Sequence, residues 1–440
     1  MNNAACLLLS VVIALPLVSL DASEPVEFKA GFAEVDITPP PGLPMWGYGA
    51  RHAAKAKGTM DSLAARAVVI QAGNSKVAVV GLDLGRAPTA AMMEQIRGDL
   101  KEQADIEHIL ISGSHTHHGP VIELVDKTGY GKGAFDEAVA YSQELPRMLT
   151  DVILAADKAA QPARIGVGTC NHLKINRNRH TKRDPKTVDP GLFVVRFDDQ
   201  NQDPIAVIVS FAAHPTMTDV QDLRYSGDYP GYMARKVSSD LNAGCVFMQG
   251  ASGDLSVRPP AGVQGPQAFG ELLAAHVVTL TKGIEAVVPE SPAISGRVNR
   301  YQFRSRVDFG SALVQLQYSV AFFPELIRNA VDEFATGIPA ELNTVVLNGD
   351  IAFVGGSGEF FCNHAIRLRE RAYVDHVLFF GYCNGHSLYF PTIEAVSEGG
   401  YGADAPVSPA EVGAGEQMLN CALVNIYELL GRIEPVPSAE

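Results

Sequence analysis

The segment Ser114-His115-Thr116-His117-His118-Gly119-Pro120 carries the densest chemistry in the chain. In extended backbone, side chains two apart point to the same side, so His115 and His117 can face one site while His118 faces away. Neutral imidazoles suit zinc, whose catalytic sites combine three protein ligands with an open position for water. A bare His-x-His also occurs as an ordinary loop or capping pair, so the motif alone does not choose. His214, in Phe211-Ala212-Ala213-His214-Pro215-Thr216, follows an apolar run and by itself reads more readily as a satisfied core residue. Glu359 closes Gly355-Gly356-Ser357-Gly358-Glu359, where glycines allow a tight turn that exposes one carboxylate. That carboxylate could equally cap a helix beginning near Phe361. Ser256, in Gly253-Asp254-Leu255-Ser256, is a candidate nucleophile or substrate donor. No G-x-S-x-G elbow surrounds it, which argues against a serine-hydrolase triad and leaves a turn-stabilising role. Phosphate-cradling GxxxxGK[ST] and GxGxxG loops are missing as well, which weakens nucleotide-dependent readings.

Short β-rich runs must position these residues. Ala67–Gln71, Val77–Leu82, Ile109–Ser112, Leu192–Phe197, Ile205–Ser210, Cys245–Met248 and Ile351–Gly355 read as buried strands. Between them, Ala90–Gln103, Phe135–Ala160, Tyr232–Leu241 and Ala268–Val288 repeat apolar residues at helical spacing. The alternation predicts an α/β fold: one large catalytic domain of mixed sheets flanked by helices, with its active site at strand carboxyl ends. Asp83, His115, His214, Asp254 and Glu359 each follow such a strand, which predicts one shared crevice. No fixed-period repeat is visible. The Pro-rich stretch Val288–Ser295 is the only seam, and β-like segments follow it.

The 440 residues include 35 Lys+Arg against 49 Asp+Glu, a net charge of −14, with 47% hydrophobic and 19% charged residues. This excludes a disordered chain and disfavours nucleic acid as a partner. Ala4–Leu20 is almost wholly apolar and is followed by small and polar residues including Ala22, so residues 1–22 read as a signal peptide and the protein as exported, secreted or periplasmic. With no Lys or Arg before the apolar run, an uncleaved anchor is the alternative. Cys6 lies in the leader; the other five cysteines are widely spaced and predict buried thiols, with one bridge at most, Cys362–Cys383.

Taken in order, Val35-Asp36-Ile37-Thr38-Pro39-Pro40, Met45-Trp46-Gly47-Tyr48-Gly49, Ile111 to Pro120, Asn176-Arg177, His214-Pro215-Thr216, Gly253-Asp254-Leu255-Ser256 and Gly358-Glu359 resemble the neutral/alkaline, non-lysosomal ceramidase family. The resemblance covers roughly Ala30 to Leu430 and assigns 23–440 to that family's catalytic domain. It implies one catalytic Zn²⁺ and hydrolysis of the N-acyl bond of ceramide to a sphingoid base and a fatty acid. Carried over by position, His115, His214 and Glu359 are implied as ligands, with Tyr389 of Asn384-Gly385-His386-Ser387-Leu388-Tyr389 as a tyrosine ligand. His117, Tyr401 and Arg177 are implied around the reacting carbonyl, and Ser256 at the substrate. Asp83 and Asp254 are candidates to hold the histidines in one tautomer.

The sequence also departs from the family pattern. GDxSPN reads GDLSVR, HTHSGP reads HTHHGP, and the HGTSM-like segment reads HPTMT, changes that fall on the substrate side. With the sequence ending at Glu440, the C-terminal immunoglobulin-like domain of longer members is expected to be absent. Amide hydrolysis is therefore a firmer expectation than ceramide itself. The expected partner is a small lipid or other N-acyl substrate, with peripheral membrane contact, and oligomeric state is not readable. The alternatives are a zinc hydrolase of non-lipid amides or esters, and a non-catalytic exported binding protein of the same fold.

Overall fold

The computed structural model describes residues 26–434, so the leader over 1–22 lies outside the described residues. Among the described residues, twelve strands form three arrangements of one design, the first sheet carrying the two-residue strand Gln161–Pro162 as a fifth member. The first comprises β1 (Phe28–Asp36), β2 (Ala64–Ala72), β3 (Ser75–Leu82), helix α1 (Ala90–Ala104), β4 (His108–Gly113) and helix α2 (Asp136–Lys158). The second comprises β5 (Arg164–Cys170), β6 (Leu192–Asp198), β7 (Pro204–Phe211), α3 (Asp228–Leu241), β8 (Gly244–Gln249) and α4 (Gly265–Lys282). The third runs from β9 (Ile294–Phe303) through helices α5 (Ala312–Ser319) and α6 (Pro324–Glu333) to β10 (Ile338–Leu347) and β11 (Ile351–Gly356). It continues with α7 (Cys362–Arg371), β12 (His376–Phe380), α8 (Ile393–Glu398) and α9 (Ala414–Leu429).

In every unit the first three strands pair antiparallel and the fourth lies parallel to the third. Parallel neighbours cannot be joined by a hairpin and need a crossover, which α1, α3 and α7 supply. A second helix then packs on the first two strands of its own sheet: α2 on β1 and β2, α4 on β5 and β6, α9 on β9 and β10. The alternating strand and helix runs of the sequence are thus one motif used three times.

Alternation along the strands shows why they read as continuous apolar runs. In β2, Ala65, Ala67 and Val69 face α1 and α2, while Val68 and Ile70 face inward. In β6, Leu192 and Val194 face the helices and Phe193, Val195 and Phe197 face inward; in β11, Ala352 and Val354 face out and Ile351 and Phe353 in. The three inward faces meet in one central core, so both sides of each sheet are buried. Close approach of the sheets needs glycine: a Cβ on Gly81 of β3 would lie 2.3 Å from the Phe247 carbonyl of β8.

Some expectations change. The helix expected to run to Val288 stops at Lys282, where Gly283 closes it and Val287 returns as a bridge to Ile165. The Pro-rich seam falls between α4 and β9, the junction of the second and third units. After it, the expected β-like stretch begins with β9, and α5 and α6 then intervene before β10. Cys362 and Cys383 do not pair: both are free and buried, Cys362 Sγ standing 3.3 Å from Asp254.

Candidate metal centre

The loops that leave the third and fourth strands of all three units converge. From β4 come His115 and His117, from β7 His214, from β11 Glu359, and from β12 Tyr382, His386 and Tyr389. Glu359 Oε2 lies 3.3 Å from His115 Nε2 and 3.1 Å from His214 Nε2, and its Oε1 lies 3.4 Å from His386 Nε2. His117 Nε2 is 3.4 Å from His115 Nε2. Tyr389 Oη is 3.5 Å from His214 Nε2, and the short strand Tyr389–Phe390 pairs with Glu359–Phe360, which fixes phenol and carboxylate side by side. Glu359 therefore belongs to a strand and caps no helix.

The histidine tautomers follow from their partners. His115 Nδ1 is 2.8 Å from the Gly85 carbonyl after β3, and His214 Nδ1 is 2.7 Å from the Ser252 carbonyl after β8. A carbonyl only accepts, so each Nδ1 carries the proton and each Nε2 presents its lone pair to the centre. Arg179, which can only donate, lies with Nη2 2.8 Å from His214 Nε2 and 3.0 Å from Tyr389 Oη, in agreement with that assignment. The buried Gln249 side chain at the end of β8 donates to the carbonyls of Ser114 and Ala213, the residues just before His115 and His214. One amide thus ties two units at their histidine loops. Asn384 does the same between the third unit and β4, donating to Ile109 and accepting from Ile111. His115, Tyr382, Asn384 and Leu388 hold φ of 68°, 54°, 56° and 62°, a concentration of left-handed backbone that the surroundings must enforce.

The donor set fits a divalent cation. Two groups, His115/His117/His214 and His115/Glu359/His386, bring one ligand atom per residue within 4.8 Å of one another. Their closest separations of 3.1 to 3.4 Å match the edge, about 3.3 Å, of a tetrahedron with zinc-like bonds near 2.0 Å. Among the buried side-chain atoms that find no hydrogen-bond partner are His117 Nδ1 and His386 Nε2. Burial alone would raise the Glu359 carboxyl, but the facing His115, His214 and His386 pull it well below the ordinary carboxylate range. Burial, with Arg179 beside it, lowers His214 to about 3, and burial also lowers His117 well below its usual value. The cluster therefore presents neutral imidazoles around one carboxylate, as a metal requires. Burial and the Glu359 charge push the Tyr389 phenol up.

Of the residues singled out in the sequence, His115, His117, His214, Glu359 and Tyr389 come together. Tyr401 stands at the rim, 70% exposed, its ring 5.6 Å from that of Tyr389. Arg177 is corrected: it is exposed on the strand Asn176–Asn178, opposite Ser256, and the guanidinium that enters the cluster belongs to Arg179. Ser256 is half-buried, its backbone bridging to that of His214. Asp83 and Asp254 do not orient the histidines. Asp83 is held by Arg66 and the Ala64 amide, and Asp254 by Asn178 and the Cys362 amide. His118 faces away, toward Arg51 and the Asp219 carbonyl. Sequence reasoning missed Arg179, Gln249 and His386; the only signal for His386 was its residue type three positions before Tyr389.

A groove partly open to solvent leads to the cluster. Glu359, His386 and Tyr389 lie at its floor, Met45, Trp46 and Tyr48 on one wall, and Phe309, Phe323, Leu326, Ile327 and Phe334 from the α5–α6 region on the other. Gly47 makes room for the site: a Cβ there would lie 2.5 Å from His117 Cγ.

A family model described as neutral/alkaline non-lysosomal ceramidase, N-terminal, matches residues 28–257, a stretch that holds His115, His117, Arg179 and His214 but stops before Glu359. Neutral ceramidase B of Dictyostelium discoideum is 28% identical over 175 residues, 34% of this chain and 23% of its own length. Neutral ceramidase of Oryza sativa subsp. japonica is 26% identical over 251 residues, 52% of this chain and 31% of its own. The chain thus spans less than a third of either relative. The crystal structure of neutral ceramidase from Pseudomonas aeruginosa superposes with a TM-score of 0.75 at 18% identity, over 95% of this chain and 76% of that one. A structure titled as ceramidase complexed with C2 gives 0.74 at 18%, over 94% of this chain and 77% of that one. These superpositions carry the fold past residue 257, through the third unit.

Proposed function

Because this chain belongs to the neutral/alkaline non-lysosomal ceramidase family, we propose that it is an exported zinc-dependent amidohydrolase that cleaves the N-acyl bond of ceramide or a related N-acyl lipid. One observation carries the reading: an apolar groove ends on a buried His/Glu/Tyr cluster in which the Nε2 lone pairs of His115 and His214 face inward. Apolar walls with convergent polar groups at one end suit a lipid amide better than a polar peptide.

His115, His214, Glu359 and Tyr389 would hold the ion. Bound zinc would supply Lewis-acid polarisation of the amide carbonyl and acidify the attacking water. Gly85 and Ser252 keep the two imidazoles in the ligating tautomer throughout. His117 stands beside this set with Nε2 toward it, and burial keeps it neutral, so it can take a proton there and deliver it to the leaving amine. Arg179, fixed by the Gly253 carbonyl and Tyr389, aims a permanent positive charge where the tetrahedral oxyanion develops, and Tyr401 can close over it from the rim. Ser256, beside the His214 backbone, is a substrate contact in this reading.

The groove mouth points to where the substrate comes from. Helix α5 and the turn after it contain no charged residue from Ser311 to Phe323. Gln315, Tyr318 and Phe322 line the groove while Leu313, Leu316 and Val320, at 65%, 65% and 74% exposure, face outward. We assign this uncharged lip to contact with a lipid surface continuous with the groove. The deciding experiment is a panel of N-acyl sphingosines, N-acyl amino acids and simple esters, with and without chelator. Chelator-sensitive release of fatty acid from the sphingosines is expected. Cleavage of the polar members alone would replace the lipid reading with that of a general zinc hydrolase, and no turnover with any member would leave a binding protein.

A further inference from the structure

His386 belongs to no step of the mechanism above, yet it is 6% exposed and its Nε2 is buried without a hydrogen-bond partner. An imidazole nitrogen in that state is costly unless something occupies it. It faces Glu359: Nε2 lies 3.4 Å from Oε1, the carboxylate oxygen turned away from His115 and His214. The His386 ring stacks on that of His115, with centroids 6.0 Å apart and planes 24° apart, and Trp46 closes the other side edge-on at 5.4 Å. His115, Glu359 and His386 bring their ligand atoms within 4.8 Å of one another, as close as the His115/His117/His214 group.

We propose that His386 is a further ligand of the metal that the site holds, so that the donor set is His115, His214, Glu359, Tyr389 and His386, with both oxygens of Glu359 facing ligating imidazoles. The proposal rests on the metal-site reading of the preceding section. Its chemical content is that a divalent ion gains a third imidazole from the end of β12. Such an ion is more crowded, and held more tightly, than one with four protein ligands.

The test measures metal rather than turnover. Wild-type protein, His386→Ala, His386→Gln and His115→Ala are stripped and titrated with Zn²⁺ against a chromophoric chelator, and with Co²⁺ while the visible d–d absorption is recorded. The expected result is one ion per wild-type chain with the weak absorption of a five- or six-coordinate centre. His386→Ala should bind at least tenfold more weakly, since loss even of an outer partner of a ligand costs about 10–100-fold, and its cobalt absorption should rise toward the four-coordinate pattern. His386→Gln should resemble His386→Ala, because an amide restores a hydrogen bond to Glu359 but no imidazole. Wild-type affinity and absorption in His386→Ala, or full rescue in His386→Gln, would overturn the proposal. Failure of wild-type protein to bind metal would instead overturn the metal-site reading itself. Melting curves of the metal-free variants that match wild type separate loss of a ligand from loss of fold.

Discussion

Replacing Gln249 by Leu removes one amide from the buried junction of two units while keeping the side chain's bulk. In the native protein Gln249 Nε2 is 3.0 Å from both the Ser114 and Ala213 carbonyls, and its Oε1 accepts weakly from the Ala213 amide at 3.4 Å. The two carbonyls fare differently on its loss. Ala213 keeps the Tyr229 hydroxyl as a donor at 2.6 Å, so only an ordinary bond is forfeited there, about 0.5–1.5 kcal/mol. Ser114 would stand buried beside a leucine, and an unsatisfied buried carbonyl costs about 1–3 kcal/mol. The sum, about 1.5–4.5 kcal/mol, should appear as a lower denaturation midpoint of metal-free Gln249→Leu. Because the freed carbonyls belong to the residues before His115 and His214, zinc affinity should also fall about 10–100-fold. The assays are urea unfolding of stripped protein and chelator competition. A variant within about 0.5 kcal/mol of wild type and with unchanged zinc affinity would refute the claim that this amide sets the two histidine loops.

Other consequences are as direct. Arg179→Ala should lower kcat/KM by about 10²–10³, the usual cost of one oxyanion donor, whereas exposed Arg177→Ala should change it by no more than a few-fold; equal effects would return the role to Arg177. Gly47→Ala should combine strain at φ +104° with a Cβ driven against His117, cutting activity strongly while zinc binding persists; the pair of measurements checks that the clash reaches His117 and not the ligands. His364 of α7 is buried and burial holds its pKa below the free value of 6.5, so the unfolded chain binds the extra proton. Its contribution is fully present above about pH 6.5 and is lost as pH falls below that. Stability measured from pH 7.5 to 5 should therefore decline less in His364→Gln than in wild type.

The positions of the site residues were legible because buried strands announce themselves as apolar runs and the polar residue after each run had to lie at a sheet end. His115, His214 and Glu359 follow that rule. Arg179 escaped because the strand Asn176–Asn178 ends one residue too early for an alternation argument to continue, and the chain turns the second arginine inward instead of the first. The groups that fix the tautomers escaped because Gly85 and Ser252 act through backbone carbonyls, which no residue type reveals. The threefold repetition left no period, since the units share topology and not residues and are interrupted differently: the stretch between β1 and β2 in the first, and α5 with α6 in the third. The Cys362–Cys383 pairing failed for a related reason. Spacing in sequence says nothing of direction, and Cys362 turns to Asp254 while Cys383 packs toward Gly355.

Distribution of the donors over three units also sets a timetable during synthesis. A ribosome delivers His115 with the first unit and His214 with the second, but Glu359, His386 and Tyr389 only with the third. Domains fold broadly from the N-terminus as the chain emerges, so a nascent protein two-thirds complete offers an ion little more than a few imidazoles, a grip from which it escapes readily. Firm capture of the proposed ion would wait until the last sheet has docked on the other two. On the proposed zinc reading the ion would thus act as a receipt for a finished molecule: truncated or stalled chains should be recovered metal-free, and metal content of a preparation should report the fraction of molecules whose third unit is in place.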